Sequence, residues 1–144
     1  MIEADTIRLL RECDAGIRVG VSSIDEVLDR VKSPQFKQLL NDCKDKHDNL
    51  NSEIQGMLAR YRDNGKEPNP MAKGMSWMKT NLKMAMDSSD QTIADVMTDG
   101  CNMGVKKLHQ YLNQYKAAEE RAKDITKRLI DLEEKLAIDM RRYL

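Results

Sequence analysis

The chain has 144 residues, a length that suits one domain and buries roughly two-thirds of the surface its unfolded form would expose. Its 24 basic residues are balanced by 24 acidic ones with interleaved signs, which leaves no basic stripe for nucleic acid or an anionic membrane. Ten methionines against seven glycines, three prolines and few aromatics fit helices with adaptable cores.

No stretch approaches the roughly 18 uncharged apolar residues of a spanning helix, and the Met1-Ile2-Glu3-Ala4-Asp5 start has no basic-then-apolar signal form. A cytoplasmic protein is the expectation. Cys13, Cys43 and Cys101 are odd in number, far apart and without a Cys-x-x-Cys pair. Reduced, buried thiols fit that pattern better than a disulfide framework.

In chain order, Leu10, Cys13, Ile17, Gly20, Ile24, Val27 and Val31 recur at steps of three and four, which predicts a first amphipathic helix over 7–31. Ser33 then stands as an N-cap with Pro34 at the first helical position. A second helix follows with the stripe Phe36, Leu40, Cys43, His47, Leu50, Ile54, Met57 and Tyr61. The breaker cluster 63–70 ends it, with Gly65 as the helix-ending residue. Met71, Met75, Met78, Leu82 and Met86 mark a shorter crossover helix. Ser88-Ser89-Asp90 caps a third long helix carrying Ala94, Met97, Cys101, Gly104, Leu108, Tyr111 and Tyr115. After a turn at 116–119, the last helix carries Ala122, Ile125, Leu129, Leu132, Leu136, Met140 and Tyr143.

The first and last connections span a few residues, whereas about two dozen separate helices two and three, enough for a helical segment to return along the array. The expected fold is all-α: a single-domain (1–144), ferritin-like antiparallel four-helix bundle with a long crossover, containing a short extra helix, between helices 2 and 3. A five-helix array is the alternative. Counting outward from the turns sets Ile17 to Gly20, His47, Cys101 and Leu132 at one mid-height layer. A di-metal bundle would need about six ligands there, a Glu from each of two helices and Glu-x-x-His from each of the others. The sequence instead offers Lys44 three residues before His47, glycine and leucines elsewhere, and Glu133-Glu134 on a polar side.

Oxidase, catalase and iron-storage chemistry are therefore not expected, nor is any catalytic or cofactor site. His47 and Cys101 stand as incomplete metal-ligand candidates, with His47 read foremost as a neutral core imidazole. Cys43 is a turn from His47, too far for a closed tetrahedral site. The row Met71, Met75 and Met78 has thioether copper spacing, but also that of any core face. The adjacent carboxylates Glu119-Glu120 and Glu133-Glu134 read as solvated faces, and His109 falls beside its stripe.

Leu9-Leu10 with Cys13-Asp14-Ala15-Gly16, Ser33-Pro34-Gln35-Phe36, Asn64-Gly65-Lys66-Glu67-Pro68, Trp77-Met78-Lys79-Thr80-Asn81-Leu82-Lys83 and Asp99-Gly100-Cys101 together span nearly the whole chain. In this order of parts it resembles a bacterial family of ferritin-like four-helix-bundle proteins of unknown function, distantly related to ferritins and rubrerythrins. The resemblance implies the fold. Cys101 and Lys44, standing where ferritin-like members would carry Glu, are departures that argue against inherited metal chemistry. The functional expectation is a non-enzymatic bundle with a structural, stress-related or protein-interaction role, as a homodimer or with another protein partner, and Val21, Leu28, Leu39 and Leu58 beside the main seams would supply the surface. The alternative is a metal-binding or redox protein using His47 and Cys101. A third reading is a small apolar ligand beside Gly20, Gly100 and Gly104.

Overall fold

A computed structural model describes residues 2–63 and 89–144. They form four long helices, α1 (Ile2–Leu28), α2 (Pro34–Arg60), α3 (Asp90–Gln114) and α4 (Glu120–Asp139), followed by a 3-10 turn, Met140–Tyr143. There is no strand among the described residues, and the arrangement is compatible with a helical bundle. The crossover with its methionine row, Trp77 and Gly65 lies outside the described residues.

The caps read from the sequence are in place. Ser33 Oγ accepts from the Phe36 N–H and Ser89 Oγ from the Thr92 N–H, each satisfying a donor that the first turn leaves unpaired. Asp90 does more than open α3. Its two carboxylate oxygens accept from the backbone N–H groups of Lys32, at 2.8 Å, and Ser33, at 2.9 Å, fastening the α1–α2 turn to the start of α3. The end of α2 differs from the sequence expectation. The left-handed residue is Arg62, at φ 56°, ahead of Gly65, and the Asp63 N–H closes on the Leu58 carbonyl.

α1 begins five residues before the expected boundary because its first turns have a partner. The Ala117 N–H donates to Asp5 Oδ2 and the Glu119 N–H to Thr6 Oγ1, so the α3–α4 turn satisfies its backbone without glycine or proline. Along α1 and α2, Arg11 grips Asp63 through two guanidinium nitrogens, Gln55 donates to Asp14, and Lys44 meets Asp25 at 2.6 Å. Early positions of α1 thus meet late positions of α2.

The buried apolar residues fall into two clusters. One gathers Ile24, Val27, Phe36, Leu40, Ile93, Val96 and Met140 near the α1–α2 turn. The other gathers Leu9, Leu10, Ile17, Ile54, Leu58 and Leu129 toward the opposite end. Leu132 packs against both. Of the extra apolar positions beside the main seams, Leu58 is fully buried, whereas Leu28 and Leu39, packed on the first cluster, and Val21, packed on the second, are partly buried. Their side chains add area to the core, which is worth about 25 cal/mol per Å² removed from water. Among the described residues no helix is long and apolar enough to cross a membrane.

Candidate functional site

Between the two apolar clusters lies a layer of polar side chains from α2, α3 and α4, flanked by glycines of α1 and α3. His47 projects from the buried stripe of α2 and is 1% exposed. Its Nε2 lies 2.9 Å from Glu133 Oε1 on α4, and its Nδ1 lies 2.8 Å from the Cys43 carbonyl one turn back and 3.4 Å from Cys43 Sγ. Cys101, on α3, faces the same Glu133. One carboxylate therefore joins the imidazole of α2 to the thiol of α3.

Both imidazole nitrogens face oxygen acceptors. A carbonyl can only accept, so Nδ1 carries a proton, and the carboxylate holds a second proton on Nε2. Burial pulls the imidazole pKa down, but the hydrogen bonds to Cys43 and Glu133 and the nearby Glu133 carboxylate outweigh it and raise the value to about 10. His47 is thus the buried, hydrogen-bonded core imidazole expected from the sequence, with partners that favour its protonated form over the neutral one.

The thiols are poor nucleophiles. Burial pushes Cys13 up to about 12, against the hydrogen-bonding effect of Thr126 Oγ1 at 3.3 Å. Cys101 is raised by burial and then by the neighbouring Glu133 charge. All three cysteines are buried with free thiols, and at Cys13 and Cys101 a thiol held in its neutral form neither attacks nor ligates readily.

The sequence brought His47, Cys101 and Gly20 to one height, and the structure joins all three to Glu133. A Cβ at Gly20 would sit 3.5 Å from His47 Nε2 and 3.8 Å from Glu133 Oε1, and one at Gly104 would sit 3.9 Å from Glu133 Oε2. Beside Gly20 and Gly104, two of the three glycines at which room for an apolar ligand is expected, the neighbouring side chains are His47 and Glu133. Cys43, expected a turn away from His47, still touches it, because positions four apart on a helix share a face. Lys44, expected to oppose a cation at this layer, reaches outward to Asp25 on α1.

Glu133 is the residue that the sequence reading placed wrongly. Expected on a solvated face, its side chain is instead 14% exposed and engages His47. It follows Leu132 directly and lies four residues beyond Leu129, so the α4 stripe is wide enough to carry it inward. The available signal was the pair of glycines, Gly20 and Gly104, at the height of His47, which leaves space for a long side chain from the remaining helix.

The order thiol, imidazole, carboxylate has the connectivity of a cysteine-nucleophile triad. Its geometry does not serve that chemistry. Cys43 is 5% exposed, and the Nδ1 proton is directed to the carbonyl of its own turn. Among the described residues no three His, Cys, Asp or Glu side chains converge to hold a metal ion. A second buried polar set, where Asp14 accepts from Arg18 Nε and Gln55 Nε2, ties α1 to α2. No protein-family model, curated protein or solved structure matches this chain.

Proposed function

We propose that the chain is a bacterial, cytoplasmic, ferritin-like antiparallel four-helix bundle that acts through its surface, as a structural, stress-related or protein-interaction module, and not through chemistry at its centre. The observation that carries this reading is the engagement of both His47 nitrogens, one with the Cys43 carbonyl and one with Glu133. Each potential ligand atom of the imidazole is already within hydrogen-bond distance of an oxygen acceptor. The opposed order of contacts along α1 and α2, and of His47–Glu133 with Glu53–Arg128 along α2 and α4, supports the antiparallel arrangement. Buried free thiols suit a reducing compartment. A homodimer or another protein is the expected partner.

The alternative, a metal-binding or redox protein using His47 and Cys101, draws support from Glu133, which contacts both. Elemental analysis of protein purified without chelator separates the two readings. The expected result is no stoichiometric metal in either the wild type or His47→Ala. A stoichiometric transition metal in the wild type that is lost in His47→Ala would overturn the surface reading in favour of the alternative.

A further inference from the structure

At the end of α4 a shallow groove of about 560 Å³ opens between the start of α2 and the terminal 3-10 turn, lined by Leu39, Ile138, Tyr143, Gln35, Arg141 and Arg142 among others. Its composition is amphipathic. Ile138 is 52% exposed, one of few large apolar side chains left to solvent among the described residues. Tyr143 is held by stacking on the buried Phe36, with ring centroids 4.4 Å apart and planes 7° from parallel. That contact fixes the groove wall before any partner arrives, and a preformed wall reduces the ordering cost of binding.

The charge of the rim is unbalanced. Asp139 is paired with Lys135 at 3.2 Å, whereas neither Arg141 nor Arg142 has a carboxylate partner among the described residues. The Arg142 guanidinium carbon lies 5.5 Å from the Tyr143 ring centroid, a stacked placement that leaves its N–H edges available. Gln35 takes a hydrogen bond from Ser33 Oγ at its carbonyl oxygen and keeps its amide N–H groups as donors. Planar guanidinium forks match carboxylates in a bidentate manner, and the exposed isoleucine and tyrosine suit an apolar side chain set between them.

We propose that this groove docks an acidic segment of a partner protein, in which an apolar side chain seats against Ile138 and Tyr143 while flanking carboxylates engage Arg141 and Arg142. The inference deepens the surface-acting reading above and rests on it. A phosphate-backbone or membrane occupant is disfavoured because the rim offers only two arginines in a chain of balanced charge.

Fluorescence anisotropy with a short labelled peptide alternating glutamate and leucine tests the proposal, using a lysine–leucine peptide as control. The glutamate peptide binds the wild type and the lysine peptide does not. Arg141→Glu with Arg142→Glu weakens the glutamate peptide by roughly tenfold or more and gains the lysine peptide, while Ile138→Ser weakens both pairings. These residues are exposed or at the groove, and circular dichroism checks that the variants keep their helices. The proposal is overturned if the two peptides bind the wild type alike or the charge reversal changes nothing. Wild-type self-association abolished by the reversal would assign the groove to a second copy, and phosphatidylserine vesicles bound in place of the peptide would assign it to membrane; either also overturns it. Peptide failure in a metal-free protein removes the groove alone, whereas a His47-dependent metal removes the reading beneath it.

Discussion

Burial by itself would strip the second proton from His47, and what prevents this is the placement of an acceptor at each ring nitrogen. The consequence is a pH dependence of known sign. The folded pKa, raised to about 10, stands above the ordinary 6.5, so the folded state holds a proton that the unfolded state releases. The pair's contribution is fully present below pH 6.5 and is lost as pH rises toward 10. Buried thiols with raised values lower stability in the same direction, but only above about pH 8.5, where unfolded cysteines ionise. The interval from pH 6.5 to 8 therefore isolates the histidine, and over it stability should fall by on the order of 1.5 kcal/mol. Glu133→Gln removes the charge that holds the proton and should flatten this slope. Urea unfolding midpoints for both proteins at several pH values give the answer. Parallel curves for wild type and variant would sink the ion-pair assignment.

At the scale of elements, each helix start is fixed by side chains that read locally, but the junctions between helices are fixed by residues distant in sequence. Asp90 is the clearest case, since it accepts two backbone N–H groups from a turn 57 and 58 positions earlier. Asp90→Ala should cost roughly 2–3 kcal/mol, because it leaves two donors without their charged acceptor. Ser89→Ala, which removes one cap bond, should cost about 1 kcal/mol. Chemical denaturation of the two variants checks the ranking, and equal losses would show that Asp90 serves only its own helix. The same division explains what was legible. Ser33 with Pro34, and Ser89, announce helix starts through local chemistry and were readable. Asp5 and Thr6 receive the 117–119 turn more than a hundred residues away, so nothing beside them in sequence signals the early start of α1. Arg62 takes the left-handed position that favours glycine, beside Asp63, which Arg11 clamps from 52 residues earlier.

For the whole molecule, the His47–Glu133 layer divides the apolar interior into two clusters bridged by Leu132. Helical stripes made the layer's height and three of its members readable, but Glu133 was hidden by its place beside Glu134, since a one-residue shift around a helix moves a side chain by about 100°. A buried ion pair contributes little net stability over well-packed apolar residues, because each charge is desolvated to form it. Breaking it is another matter. His47→Leu leaves the Glu133 carboxylate facing a leucine, and Glu133→Leu leaves the imidazole without its charge partner; each should cost about 3–5 kcal/mol. The double variant His47→Leu/Glu133→Leu merges the two clusters, with Gly20 and Gly104 giving the new side chains room beside the mid-layer, and should unfold within roughly 1–2 kcal/mol of the wild type. Guanidinium unfolding of the four proteins measures the coupling directly. If the double loses as much as the two singles summed, His47 and Glu133 act independently, and the layer does not hold α2 and α4 in register through this pair.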